Sequence, residues 1–202
     1  MKINKKILYI LIILIIILLG VIIYKNVIKK SKNGNNMNSQ EIVDYILNKT
    51  TYTAKISVQV NSNKNTNKYI LNQKFNSENE SMQEVIEPSN IAGVKIIKKD
   101  GNLKIENTTL NLSKIFENYK GLGENCLDLN TFIDDYKKNE KSNFEENDKE
   151  IIMKTKSSNR NKYTENKILY INKESKLPTK LIIEDNNQNM TINIQYNEIE
   201  FN

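Results

Sequence analysis

The sequence predicts an α+β protein: a large curved antiparallel β-sheet with short helices on its concave face, preceded by one N-terminal transmembrane helix. Three observations lead there. In YTAKISVQV, Tyr52, Ala54, Ile56, Val58 and Val60 alternate without error with Thr53, Lys55, Ser57 and Gln59, the period of a strand with one buried and one wet face. Further strand-like segments follow across short polar turns, which implies antiparallel hairpins, because parallel strands need crossover helices. Only three segments carry helical spacing, and a sheet with one apolar face needs them as its cover.

The chain opens with a short basic N-terminus, residues 1–6. Residues 7–24, ILYILIILIIILLGVIIY, form an uncharged apolar run that includes Ile7, Leu11, Ile15, Leu19 and Tyr24. As a helix it is roughly 27 Å long, close to a hydrocarbon core of ~30 Å. Gly20 is its only small residue, so a signal-peptidase site with small residues at both required positions is missing, and an uncleaved anchor is expected. The rival reading is a signal peptide cut at an untypical site. Lysines flank the run on both sides, so the positive-inside count does not fix its orientation. Residues 25–37 read as a basic, polar linker with Gly34, and residues 38–202 as one domain.

Within that domain, Asn38 and Glu41 resemble a capping box before Ile42, Val43, Ile46 and Leu47 on one helical face. Leu112, Ile115, Phe116 and Tyr119 repeat at helical spacing up to Gly121, and Leu129, Phe132, Ile133 and Tyr136 do the same, giving three short amphipathic helices. After the first strand, Tyr69, Leu71 and Phe75 mark a second. GVKIIKKDGNLKIEN reads as a hairpin turning at Asp100 and Gly101, residue types that tolerate positive φ. Strands are also expected at residues 151–156, 167–172, 179–184 and 190–196, with a turn in KESKLP and Pro178 at a strand start. In the last strand Met190, Ile192, Ile194 and Tyr196 share one parity and Ile199 and Phe201 the other, so a bulge near Asn197 is expected to return them to the core.

The net charge of +6 does not mark a nucleic-acid binder. Seven lysines and no acid lie in residues 1–32, which leaves −1 for the remainder, with acids and bases interleaved. The lysines fit membrane flanks beside anionic headgroups. The chain has no His, which removes Ser-His and Cys-His pairs and most zinc sites. Cys126 is the only cysteine, so no internal disulfide forms; it is expected to be a small buried hydrophobe. Asp134, Asp135, Glu145, Glu146, Asp148 and Glu150 read as solvated faces, leaving a carboxylate hydrolase as the weakest option. No catalytic, cofactor or metal residue is assigned. The apolar concave face is either a plain core or a seat for a lipid chain, and Tyr52, Tyr69, Tyr119, Tyr136, Tyr163, Tyr170 and Tyr196 suit core edges or an interface.

Some segments resemble a known family. They are the E-P-x-N-I-x-G stretch (Glu87, Pro88, Asn90, Ile91, Gly93), the hairpin from Asp100 and Gly101 to Asn107, and the strand start at Leu177 and Pro178. Together they resemble the GerS-related germination lipoproteins of clostridia, similar in fold to the lipoprotein carrier LolA, over most of residues 38–202. The resemblance implies a half-barrel sheet around helices and an extracytoplasmic location between the membranes of a developing spore. It also implies a non-enzymatic role as partner of a spore-cortex N-acetylmuramoyl-L-alanine amidase. The family's lipid-attachment Cys is absent here, and the apolar run at 7–24 stands in its place. A lipid or lipoprotein carrier is the alternative, and an exposed sheet edge is a possible seat for a partner strand or for a homodimer. The sequence assigns no interface residue.

Overall fold

A computed structural model describes residues 37–62, 64–77, 80–107, 109–118 and 126–202. The expected anchor, with Ile7, Leu11, Ile15, Leu19 and Tyr24, lies outside the described residues, as do Tyr119 and Gly121. Among the described residues no helix is long and apolar enough to cross a membrane.

Two α-helices are described, α1 (Ser39–Leu47) and α2 (Leu129–Lys138). The strands are β1 (Tyr52–Asn61), β2 (Thr66–Ser77), β3 (Glu80–Glu87), β4 (Val94–Lys99), β5 (Asn102–Asn107) and β6 (Leu112–Phe116), then β7 (Asn143–Glu146), β8 (Glu150–Asn161), β9 (Thr164–Asn172), β10 (Pro178–Glu184) and β11 (Met190–Phe201). They form one antiparallel sheet in the order β6-β5-β4-β3-β2-β1-β11-β10-β9-β8-β7. It is two meanders joined at the centre, where the first and last strands pair, Val58 opposite Ile194.

One face carries the core. The buried positions Tyr52, Ala54, Ile56 and Val58 on β1 line up with Leu71 and Phe75 on β2 and with Ile194, Tyr196 and Ile199 on β11. Across β10, β9 and β8, Leu181, Leu169 and Met153 continue the row. Tyr52 and its cross-strand partner Phe75 stack at 5.7 Å between ring centroids. The expected bulge is present: Lys55 pairs Glu198 and Ile56 pairs Tyr196, so Asn197 is skipped and Ile199 returns to the buried face. On the same face α2 packs on β8 through its apolar stripe, Leu129, Phe132 and Ile133, and α1 buries Ile42, Val43 and Ile46 against both.

The segment from Leu112 is a correction. It forms strand β6 instead of the expected helix, with Leu103 opposite Phe116 and Asn107 opposite Leu112. Five residues are too few for the spacing of Leu112, Ile115 and Phe116 to separate the two periods. The tight turn decides the outcome: Asn107 Oδ1 accepts the Leu110 N–H at 3.1 Å, Asn111 takes φ 53°, and the chain doubles back onto β5. Strands β3 and β7 also form, in segments that carried no strand expectation. The third helical piece among the described residues is a single 3-10 turn, Ser89–Ile91.

Candidate functional site

The sequence motifs fall at chain reversals. Glu87 and Pro88 join by a cis peptide, Asn90 and Ile91 sit in the 3-10 turn, and Gly93 takes φ 80° while its N–H donates to the Val85 carbonyl at 2.8 Å. That turn aims β4 back along β3. Asp100 (φ 50°) and Gly101 (φ 76°) form the two-residue loop of the β4–β5 hairpin, both left-handed as a type I′ turn requires. The Leu177 carbonyl accepts the Asn172 N–H at 3.0 Å, and Pro178 opens β10. These residues shape the sheet and gather no chemistry.

A cluster of polar side chains on the core face was not anticipated. Gln73 lies between Leu71 and Phe75 on β2, opposite Gln83 on β3, and both are buried. Gln73 Nε2 donates to the Leu127 carbonyl at 3.2 Å and Gln83 Nε2 to Asp128 Oδ1 at 2.9 Å, while Tyr52 Oη accepts the Leu129 N–H at 3.1 Å. Three neighbouring strands thus hold the start of α2 by three hydrogen bonds. Burial raises the Asp128 carboxyl to about 6 against the opposing pull of the Gln83 hydrogen bond and Lys98. Burial, then the Asp128 charge, pushes the Tyr52 and Tyr196 phenols up. Cys126, half-buried at the edge of this cluster, has its thiol raised chiefly by burial, which leaves it little thiolate character.

A second unanticipated pair corrects the expectation of solvated carboxylates. Asp135 is 1% exposed and forms an ion pair at 2.5 Å with Lys167, itself 2% exposed. Asp135 Oδ1 also accepts the Ser158 N–H at 2.9 Å. Lys167 shares the parity of Leu169 and Ile171, so a cation at a core position was the readable signal that an acid must meet it. By contrast Glu145 pairs with Lys154 at 2.7 Å and Glu146 with Lys173 at 2.5 Å, near the surface as expected. Among the described residues no three His, Cys, Asp or Glu side chains converge as metal ligands.

The remaining feature is a sheet wing with little cover. The register continues the core face outward in three rows: Val94, Asn107 and Leu112; Ile96, Ile105 and Lys114; Lys98, Leu103 and Phe116. The helices pack chiefly over β8, only the start of α2 reaches across to β1–β3, and several apolar side chains of β4–β6 meet solvent. Leu112 is 62% exposed, Phe116 41% and Ile105 37%, and Ile115 on the opposite face is 55%. Every residue of β6 is exposed, and among the described residues no strand lies beside its outer edge. These rows set exposed apolar side chains beside Lys98, Lys114 and the buried Asn107, and large exposed apolar patches are typical of surfaces that bind something.

These features define a class: an α+β protein whose single large antiparallel sheet has helices over one part of one face and an exposed wing on the rest. The chain belongs to the YdcC-like sporulation protein family, whose profile, "Sporulation protein YdcC-like", matches residues 4–202. A comparison with curated proteins gives no match. Among solved structures, the CwlD amidase from Clostridioides difficile in complex with the GerS lipoprotein includes a chain similar to this one, with TM-score 0.53 and 22% identity over 84% of this chain and 99% of that one. An uncharacterized conserved protein from Thermus thermophilus gives TM-score 0.51 and 11% identity over 82% and 88%. A LolA superfamily protein from Nitrosomonas europaea is more distant, with TM-score 0.41 and 11% identity over 82% and 94%. For the first two of these, at such identities, the likeness is one of fold.

Proposed function

We propose that this protein is a non-enzymatic, membrane-tethered binding protein of sporulation that docks on a spore-cortex N-acetylmuramoyl-L-alanine amidase. The apolar run from Ile7 to Tyr24 is the tether, and residues 38–202 stand outside the cytoplasm, in the space between the forespore membranes. The observation that carries the reading is the exposed β4–β6 wing, an apolar surface ending in an open edge. Family membership supports the sporulation setting, and the fold shared with a structure of an amidase–lipoprotein complex supports the choice of partner. Activation follows from binding one conformation of the enzyme better than the other.

The test is reconstitution of the full-length protein with the cortex amidase of the same organism. A stoichiometric complex on a sizing column, with raised amidase activity, is the expected result. Two separate peaks with unchanged activity overturn the reading.

A lipid carrier is the second reading. It is favoured by the half-exposed apolar side chains of Val94, Ile96 and Leu103, which continue the core face into the wing. Native mass spectrometry of the protein released gently from membranes distinguishes it: a retained acyl lipid supports the carrier, and a bare chain removes it.

A further inference from the structure

The two ends of the sheet are protected unequally. Edge strand β7 is short, its Glu145 and Glu146 are tied to Lys154 and Lys173, and Ser39 donates to Glu146 across from α1. Charges and a covering contact of this kind are how proteins blunt an edge. Edge strand β6 carries Leu112, Ile115 and Phe116, all exposed, and a single charge, Lys114. No carboxylate lies within ion-pair distance of Lys114 among the described residues, whereas Lys95 pairs with Glu84 and Lys104 with Glu106. Lys114 Nζ lies 5.9 Å from the Phe116 ring centroid, so the cation stands over the apolar face. The edge therefore presents apolar, cationic and apolar side chains in sequence on one face, at Leu112, Lys114 and Phe116.

We infer that the free edge of β6 takes up an extended strand of a partner protein in which an acidic residue stands between two apolar residues at alternate positions. Backbone hydrogen bonds to the unpaired edge supply the attachment, and the side chains facing Leu112, Lys114 and Phe116 supply the choice. The pattern reads the same in both strand directions, so it suits parallel and antiparallel addition alike. A second copy of this chain is a poor occupant, because antiparallel self-pairing centred on the strand sets Lys114 against Lys114, and like charges directly opposite are destabilising. The inference rests on the binding-protein reading only for the class of occupant; the edge and the pattern come from the sheet itself.

The experiment uses the full-length chain in detergent micelles and three labelled peptides of alternating Val and Thr, followed by fluorescence anisotropy. One has a central Glu, one a central Lys, and one is the Glu peptide N-methylated at alternate residues. The Glu peptide is expected to bind about ten-fold more tightly than the Lys peptide, from an attractive as against a repulsive cross-strand pair. N-methylation is expected to abolish binding, and Lys114→Glu to reverse the preference without lowering the melting temperature. No binding of the Glu peptide, equal binding of Glu and Lys peptides, or an unchanged preference in Lys114→Glu overturns the inference. So does self-association of the chain that blocks the peptide, or protection of Phe116 by anionic vesicles in place of peptide. Peptide selection without an amidase complex leaves the edge assigned and removes the proposed partner. An amidase complex indifferent to Lys114→Glu, with no peptide binding, does the reverse.

Discussion

The Lys167 ammonium lies 2.5 Å from the Asp135 carboxylate, and each side chain is almost wholly buried between α2 and the β8–β9 pair. Asp135 also takes the Ser158 N–H, at the place where β8 leaves register with β9 after Lys156. A helix, a strand and a bulge therefore share one charge. Removing either partner leaves the other charged and dry, so Lys167→Met and Asp135→Ala should each cost about 3–5 kcal/mol by urea unfolding. The double variant should recover much of that loss, because no lone charge remains buried.

Asp128 should make stability depend on pH in an unusual sense. Its carboxyl, raised by burial to about 6, holds its proton more tightly in the folded state than in the unfolded chain, where an aspartate titrates near ~3.9. Its contribution is thus complete below about pH 4 and is lost as pH rises through about 6. Asp128→Asn keeps an acceptor for Gln83 and is expected to be more stable than the parent at pH 7, by at most about 3 kcal/mol. The two proteins should converge near pH 3.5, within the carboxylate range. Paired urea titrations across pH measure the difference.

Gly101 separates conformational cost from crowding. A Cβ there would meet nothing within 4 Å, yet the backbone sits at φ 76°. Gly101→Ala should therefore cost about 1–2 kcal/mol through the left-handed conformation alone. Gly93, at φ 80° with Thr109 Oγ1 at an ordinary 3.8 Å from the added Cβ, should lose a similar amount. Equal shifts in urea midpoint for the two variants would establish this.

The wing and the core should respond oppositely to polar substitution. Leu112→Ser, at a 62% exposed position, is expected to change stability by no more than about 0.5 kcal/mol while weakening any partner that uses the face. Phe132→Ala, at a fully buried position on the core-facing side of α2, should cost about 3–5 kcal/mol. Thermal melts beside the co-elution assay read both effects.

Much of the fold was legible because strand parity and turn chemistry agree. Tyr52 to Val60 could take only one face inward, the Asp100–Gly101 turn fixed its hairpin, and the change of parity after Tyr196 required the bulge found at Asn197. The helices over Ile42 and Phe132 were legible from their stripes. What escaped was set by partners distant in the chain. Gln83 reads as polar until Asp128 meets it 45 residues later, and β6 reads as helical until β5 pairs with it. Asp135 looks like one member of an acidic surface until Lys167, on the parity of Leu169, claims it. The exposed wing was the least legible, because its strands carry apolar residues at the same alternation as the core strands and only the placement of the helices over β8 leaves them bare.

The central seam of the sheet sets a condition on synthesis. Tyr52–Asn61 and Met190–Phe201 are neighbours, so the pairing that unites the two meanders waits until β11 has been made. Closing so long a loop is slow compared with forming the local hairpins on either side. A product cut short within its last strand would keep those hairpins and expose two long facing edges, from Tyr52 to Asn61 and from Pro178 to Glu184, each a template for aggregation or proteolysis. The topology thus makes β11 the closing piece: until that strand is made and paired, the seam between the two meanders stays open.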